Sequence, residues 1–137
     1  MTVAKTKRNA PARRKDKKAG DFAAVFAGLK KILEPYEERL SVLPYRPEFY
    51  CLQTRGAGPN GKPVWFAAVR MGKNYVSYHF MPIYMNPGLQ KRISPDLKKR
   101  MQGKACFNFS TVDAELFREL EDLTAAGFEG YRAKKLA

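Results

Sequence analysis

The apolar residues change period along the chain, and those changes mark its elements. Phe22, Val25, Phe26, Leu29, Ile32, Leu33 and Tyr36 recur at three- and four-residue spacing, which puts them on one stripe of an α-helix. Asp21 stands where an N-cap belongs, and Pro35 predicts a kink or an end near Glu34. After the helix comes strand territory. Residues 48–55 are rich in aromatic and β-favouring side chains, and 56–62 form a turn with Asn60-Gly61 as the hairpin signal. Residues 64–71 read as a second strand, Gly72-Lys73-Asn74 as another tight turn, and 75–81 as a third strand. These three make an antiparallel meander. A weaker strand over 40–45 is confined to an edge by Pro44 and Pro47.

The second half is more helical. Residues 82–93 carry two prolines and read as a loop. Ser94-Pro95-Asp96 then opens a short helix with a cap, a proline at the first helical position and an acid in the first turn. Lys98, Lys99 and Arg100 fall in its last turn, where the helix dipole favours cations. Residues 106–109 form a short strand. Thr111 is the expected cap of the last helix, and Asp113 and Glu115 sit in its first turn. Its apolar stripe is Leu116, Phe117, Leu120 and Leu123. Gly127 is expected to end it, with Phe128 and Tyr131 docking just beyond. Two long amphipathic helices each need one apolar surface. The fold class expected is therefore α+β, an antiparallel sheet of about 4–5 strands with the N- and C-terminal helices packed on one face.

At 137 residues and 45% hydrophobic content the chain is one domain with a real core. Charge then splits it in two. Residues 1–20 hold eight Lys/Arg against one Asp, a net +7, and the remainder hold 18 against 12, a net +6. The first segment is expected to be a disordered basic tail, because so little apolar surface cannot offset roughly 1–2 kcal/mol of backbone entropy per residue. Residues 21–137 are the expected domain. No apolar run approaches the roughly 18 residues that span a bilayer, and no secretory signal is readable. Arg13-Arg14 is followed by Lys15-Asp16-Lys17-Lys18, which does not suit twin-arginine export. The expectation is a cytoplasmic protein with no membrane partner and with Cys51 and Cys106 as reduced thiols.

Three stretches carry a family likeness: VRMGKNYVSYHFM over 69–81, SPDLKKRMQGKACFNF over 94–109 and VDAELFRELEDLTAAGF over 112–128. They resemble the YdhG-like domain-of-unknown-function family across 21–137, most specifically at GKACFNF over 103–109. The resemblance implies an α+β fold with helices on an antiparallel sheet, and some members are described as frataxin-like iron-binding proteins. Such iron carriers use an acidic ridge on the first helix. Here that helix carries Lys30 and Lys31, with Glu34, Glu37 and Glu38 only at its far end.

Candidate chemistry is sparse. Gly56, Gly58 and Gly61 match G-x-G-x-x-G, but a strand rather than a helix follows, so the segment reads as a hairpin turn and no cofactor is expected. One histidine and two scattered cysteines do not make a tetrahedral zinc site, and no nucleophile motif is present, so an enzyme is not the favoured reading. Alternation places Tyr75, Ser77 and His79 on one face of the third strand and Val76, Tyr78 and Phe80 on the core face. With Asn108 of the later strand nearby, Tyr75, Ser77, His79 and Asn108 form the candidate pocket for an unknown small ligand or protein. Glu115, Glu119 and Asp122 share one side of the last helix and read as its wet side. Lys91, Arg92, Lys98, Lys99, Arg100 and Lys104 form a basic cluster with only Asp96 opposing. With the tail, and with Tyr45, Tyr75 or Tyr84 as stacking rings, that cluster is the candidate nucleic-acid interface. Periodicity does not define an oligomeric state. Three functions are thus expected in order: a non-enzymatic binding domain, a nucleic-acid-associated accessory protein and a frataxin-like iron-binding protein.

Overall fold

The computed structural model describes residues 14–44, 46–56 and 61–137, with the backbone alone for 14–21. Most of the expected tail, Tyr45 and the middle of the glycine-rich turn lie outside the described residues. The described chain builds α1 (Arg14–Leu33), a 3-10 turn over Glu34–Glu38, and strands β1 (Ser41–Val42), β2 (Phe49–Gln53), β3 (Trp65–Met71) and β4 (Val76–Phe80). There follow α2 (Pro82–Met85), a 3-10 helix over Pro87–Arg92, α3 (Pro95–Lys98), β5 (Cys106–Phe109) and α4 (Ala114–Ala133). The five strands form one antiparallel sheet in chain order, β1-β2-β3-β4-β5.

Both long helices cover one face of that sheet. Leu52, Val69, Val76, Tyr78, Phe80, Phe107 and Phe109 point to this face and are almost wholly buried. From α1, Lys30 lies 5.3 Å over the Tyr50 ring, and Val25, Leu29 and Leu33 are sealed in the core. From α4, Phe117 packs edge-on against Phe109, and the Thr124 hydroxyl meets the Tyr78 hydroxyl at 2.6 Å. A β-bulge in β3 opposite Leu52 and Gln53 turns Phe66 inward as well. Its ring meets Tyr36, Phe80, Phe128 and Tyr131. The same bulge sends Trp65 to the opposite face, where its ring lies 5.8 Å from Phe49.

Several local expectations are corrected. Helix α1 begins at Arg14, so Asp21 lies inside it and does not cap it. Residues 82–93 are no loop, because each proline serves as the first helical residue and Ile83 and Leu89 anchor the two turns in the core. The short helix ends at Lys98, and Lys99 is its C-cap. The N-cap of α4 is Asp113, not Thr111: the Asp113 carboxylate accepts the Leu116 amide at 3.1 Å. Gly127 does not end α4, which runs on through Tyr131 to Ala133. That glycine is there for space. A Cβ on it would lie 2.4 Å from the tip of the Phe80 ring and 2.8 Å from Pro82 Cβ.

Candidate functional site

The face of the sheet opposite the helices is lined by two register rows. One runs Phe49, Arg70, Ser77, Asn108, and the next Cys51, Ala68, His79, Cys106, across β2 to β5. The strand alternation read from the sequence holds, since Val76, Tyr78 and Phe80 are buried while their neighbours face away from the helices. The expected convergence on this face is also partly realised. Ser77 Oγ donates to Asn108 Oδ1 at 2.8 Å, and Asn108 Nδ2 donates to Gln102 Oε1 at 2.8 Å. The Tyr75 hydroxyl donates to the same Gln102 oxygen at 3.3 Å.

The four candidate pocket residues do not line one hollow. His79 borders a hollow of about 790 Å³ with Arg46, Glu48, Phe49, Trp65 and Arg70. Tyr75 and Asn108 border a smaller one of about 400 Å³ with Asn74, Lys99, Arg100 and Gln102. Ser77 borders neither; it is 8% exposed and its hydroxyl is spent on Asn108. The larger hollow was missed because its walls come from three separate elements. Phe49 sits on β2, Trp65 and Arg70 on β3, and Arg46 to Glu48 in the connection before β2. Two signals for it do exist in the sequence. Trp65 is the single tryptophan, and Arg70 is the one charged residue in an otherwise apolar strand.

The walls of the larger hollow are aromatic and cationic. The Arg46 guanidinium lies 5.9 Å over the Phe49 ring, and the Phe49 and Trp65 rings meet at a 48° tilt. Between these two rings, in the register, lie the small, buried Cys51 and Ala68. Glu48 is the only acid on the wall. Burial, with the positive charge of Arg70, holds the His79 imidazole below its ordinary pKa of 6.5. At neutral pH it therefore offers one N–H donor and one acceptor nitrogen.

His79 Nε2 also faces Cys106 Sγ at 3.8 Å. Burial raises the pKa of that thiol, with Ser77 beside it pulling the other way. Both members of the pair are thus neutral at neutral pH, so the thiol is not held as the thiolate a nucleophile needs. Burial pushes Cys51 up to about 12, which keeps it an inert core thiol. Among the described residues no three His, Cys, Asp or Glu side chains gather where they could hold a metal ion. The acids of the α4 stripe do not act together either. The Glu119 carboxylate accepts both the amide and the hydroxyl of Ser94 at 2.7 Å, tying α3 to α4. At the end of α1, Glu37 accepts the Tyr50 hydroxyl and Glu34 pairs with Lys30.

The basic cluster is dispersed. Only Lys99 and Arg100 border the smaller hollow; Lys91 and Arg92 close the 3-10 helix, Lys98 ends α3, and Lys104 follows the turn at Gly103. Tyr84, one of the rings suggested for stacking, is exposed on α2 and borders neither hollow. No helix among the described residues is long and apolar enough to cross a membrane. The chain matches no protein-family model, and neither curated proteins nor solved structures give a significant match.

Proposed function

We propose that the chain is a YdhG-like, non-enzymatic binding domain that holds a small planar anion on the uncovered face of its sheet. The observation that carries this reading is the wall of the larger hollow. Arg46, Arg70 and neutral His79 stand beside the Phe49 and Trp65 rings, with Glu48 the sole opposing acid. A guanidinium grips a carboxylate or phosphate through two parallel hydrogen bonds. The rings supply a face for a flat, apolar partner. A ligand that is both planar and anionic uses both halves of the wall; a cation is repelled by the arginines.

The single tryptophan reports on the site directly, because Trp65 lies in it. Titration with benzoate, nicotinate and phenyl phosphate is expected to change Trp65 fluorescence saturably, and benzylamine is not. A charge-assisted hydrogen bond contributes about 1.5–3 kcal/mol, so Arg70→Ala is expected to weaken the best anion at least about tenfold. Equal responses to benzylamine and benzoate, or an Arg70→Ala variant that binds like the parent chain, would overturn the reading.

A further inference from the structure

From the smaller hollow we infer that the far end of the sheet carries a second, separate site, which takes one base and its phosphate from a single-stranded nucleic acid. The hollow is a built feature of the fold. After α3, residues 100–102 run along the free edge of β5 as a short extra rung. The Asn108 amide donates to the Arg100 carbonyl at 2.7 Å, the Gln102 amide to the Cys106 carbonyl at 2.9 Å, and Met101 bridges Phe107. Gly103, at a φ of +78°, then turns the chain to Lys104. Backbone pairing therefore sets Lys99 and Arg100 beside Tyr75 and Asn108.

The chemistry inside the hollow is donor-rich. Gln102 Oε1 accepts from both Tyr75 and Asn108. That fixes the amide's orientation and leaves its two N–H donors without a protein acceptor among the described residues. Asn108 keeps a second N–H in the same way. Fixed amides of this kind read the edge of a base that is out of its stack. Tyr75 is 37% exposed and tethered through its hydroxyl, so its ring is a positioned stacking platform. Arg100 has no acidic partner among the described residues, and Lys99 has only a loose contact with Asp96 at 3.8 Å, both side chains being largely in water. Such a pair contributes little, and both cations can turn to a phosphate. A duplex offers phosphates but no free base edge to Gln102 and no ring face to Tyr75, so the arrangement suits a single strand.

Charge also sets the direction of the strand. On their other side Lys99 and Arg100 share a hollow with Asp96, Asp113 and Glu115, which turns a phosphate chain away. The open route leads past Gln102 toward Lys104, and past Asn74 toward Lys73. The site shares no lining residue with the larger hollow, so it stands or falls apart from the proposed function.

The test is fluorescence anisotropy of the full chain with labelled ten-residue oligo-dT, run over a salt series. Lys99→Ala with Arg100→Ala is expected to lower the salt slope by about two, one for each lost phosphate contact. Tyr75→Ala is expected to weaken binding about tenfold at an unchanged slope, and Tyr75→Phe to retain most of it. Lys91→Ala with Arg92→Ala, and ligands of the larger hollow, are expected to change nothing. Three results would each overturn the inference: no binding at 50 mM salt, duplex bound as tightly as single strand, or full binding by both the Tyr75→Ala and the Lys99/Arg100 variants. The last result would assign the affinity to the basic residues before Arg14. Melting curves of each variant show that the fold is kept; these side chains are exposed, so none is expected to shift.

Discussion

Gly127 and Gly130 lie three residues apart on α4, and alanine at the two positions is expected to act in opposite directions. In a helix interior, alanine is favoured over glycine by about 1 kcal/mol. At Gly130 nothing opposes that gain, since a new Cβ would find only Asn86 Nδ2 at 4.0 Å. Gly130→Ala is therefore expected to stabilise the protein by about 0.5–1 kcal/mol. At Gly127 the new methyl group would meet Phe80 Cζ at 2.4 Å, Pro82 Cβ at 2.8 Å and Phe80 Cε2 at 2.9 Å. Neither neighbour can yield cheaply. Phe80 is fully buried between Phe66 and Tyr78, and Pro82 is a rigid ring at the start of α2. Overpacking of this kind costs about 1–3 kcal/mol, and contacts this short belong at the upper end. After the helical gain is subtracted, Gly127→Ala is expected to destabilise by about 1–2 kcal/mol. The two variants should then differ by about 2–3 kcal/mol, or on the order of 10 °C in Tm. Urea and thermal melts followed by far-UV circular dichroism read both quantities. A Gly127→Ala protein as stable as the parent would refute the close approach of α4 to β4, and with it the placement of both helices on one face.

Other substitutions probe single links. Asp113→Ala is expected to cost about 1 kcal/mol through loss of the α4 cap, whereas Thr111→Ala costs nearly nothing; equal effects in urea melts would return the cap to Thr111. Glu119→Ala strips the Ser94 amide and hydroxyl of their shared acceptor, and a loss of about 1–3 kcal/mol is expected. A neutral result there would mean that water serves Ser94 equally well. For His79 the folded pKa lies below the ordinary 6.5, so the unfolded chain binds the proton more readily. Its contribution to stability is therefore full above pH 6.5 and is lost as pH falls through the lower folded value. His79→Gln should flatten the pH dependence of stability in that acidic window, and an unchanged slope would place the lost stability on other groups.

The fold was legible wherever period and burial agree. The α1 stripe, the meander and the alternation in β4 all follow from side chains whose facing is decided by the core. The failures share one cause, which is that a residue can serve two local purposes. A glycine late in a helix resembles a C-cap, but Gly127 is required by the Phe80 ring packed against it. Thr111 and Asp113 are both competent caps, and only the backbone geometry at Asp113 selects between them. Two prolines suggested a loop over 82–93, yet each occupies a first helical position, where its missing N–H costs nothing.

The candidate site was legible in part for the same reason. Cross-strand pairing of Ser77 with Asn108 follows once β4 and β5 are neighbours. The larger hollow depends on the β3 bulge. Strict alternation would put Trp65 on the core face with Ala67 and Val69, and the extra residue reverses it. No local pattern in the sequence announces that bulge, so Trp65 and Arg70 could be singled out as unusual residues but not joined to His79 in one wall.

The central claim is that Trp65, Arg70 and His79 form one ligand wall on the uncovered face. Because the chain has a single histidine, its imidazole gives one assignable set of NMR resonances. Following those resonances while benzoate is added tests the claim most directly. They are predicted to shift saturably, with the same midpoint as the Trp65 fluorescence change, and to remain still in the Arg70→Ala protein at the same concentrations. Imidazole resonances that stay fixed while the tryptophan signal saturates would show that the two residues do not share a site.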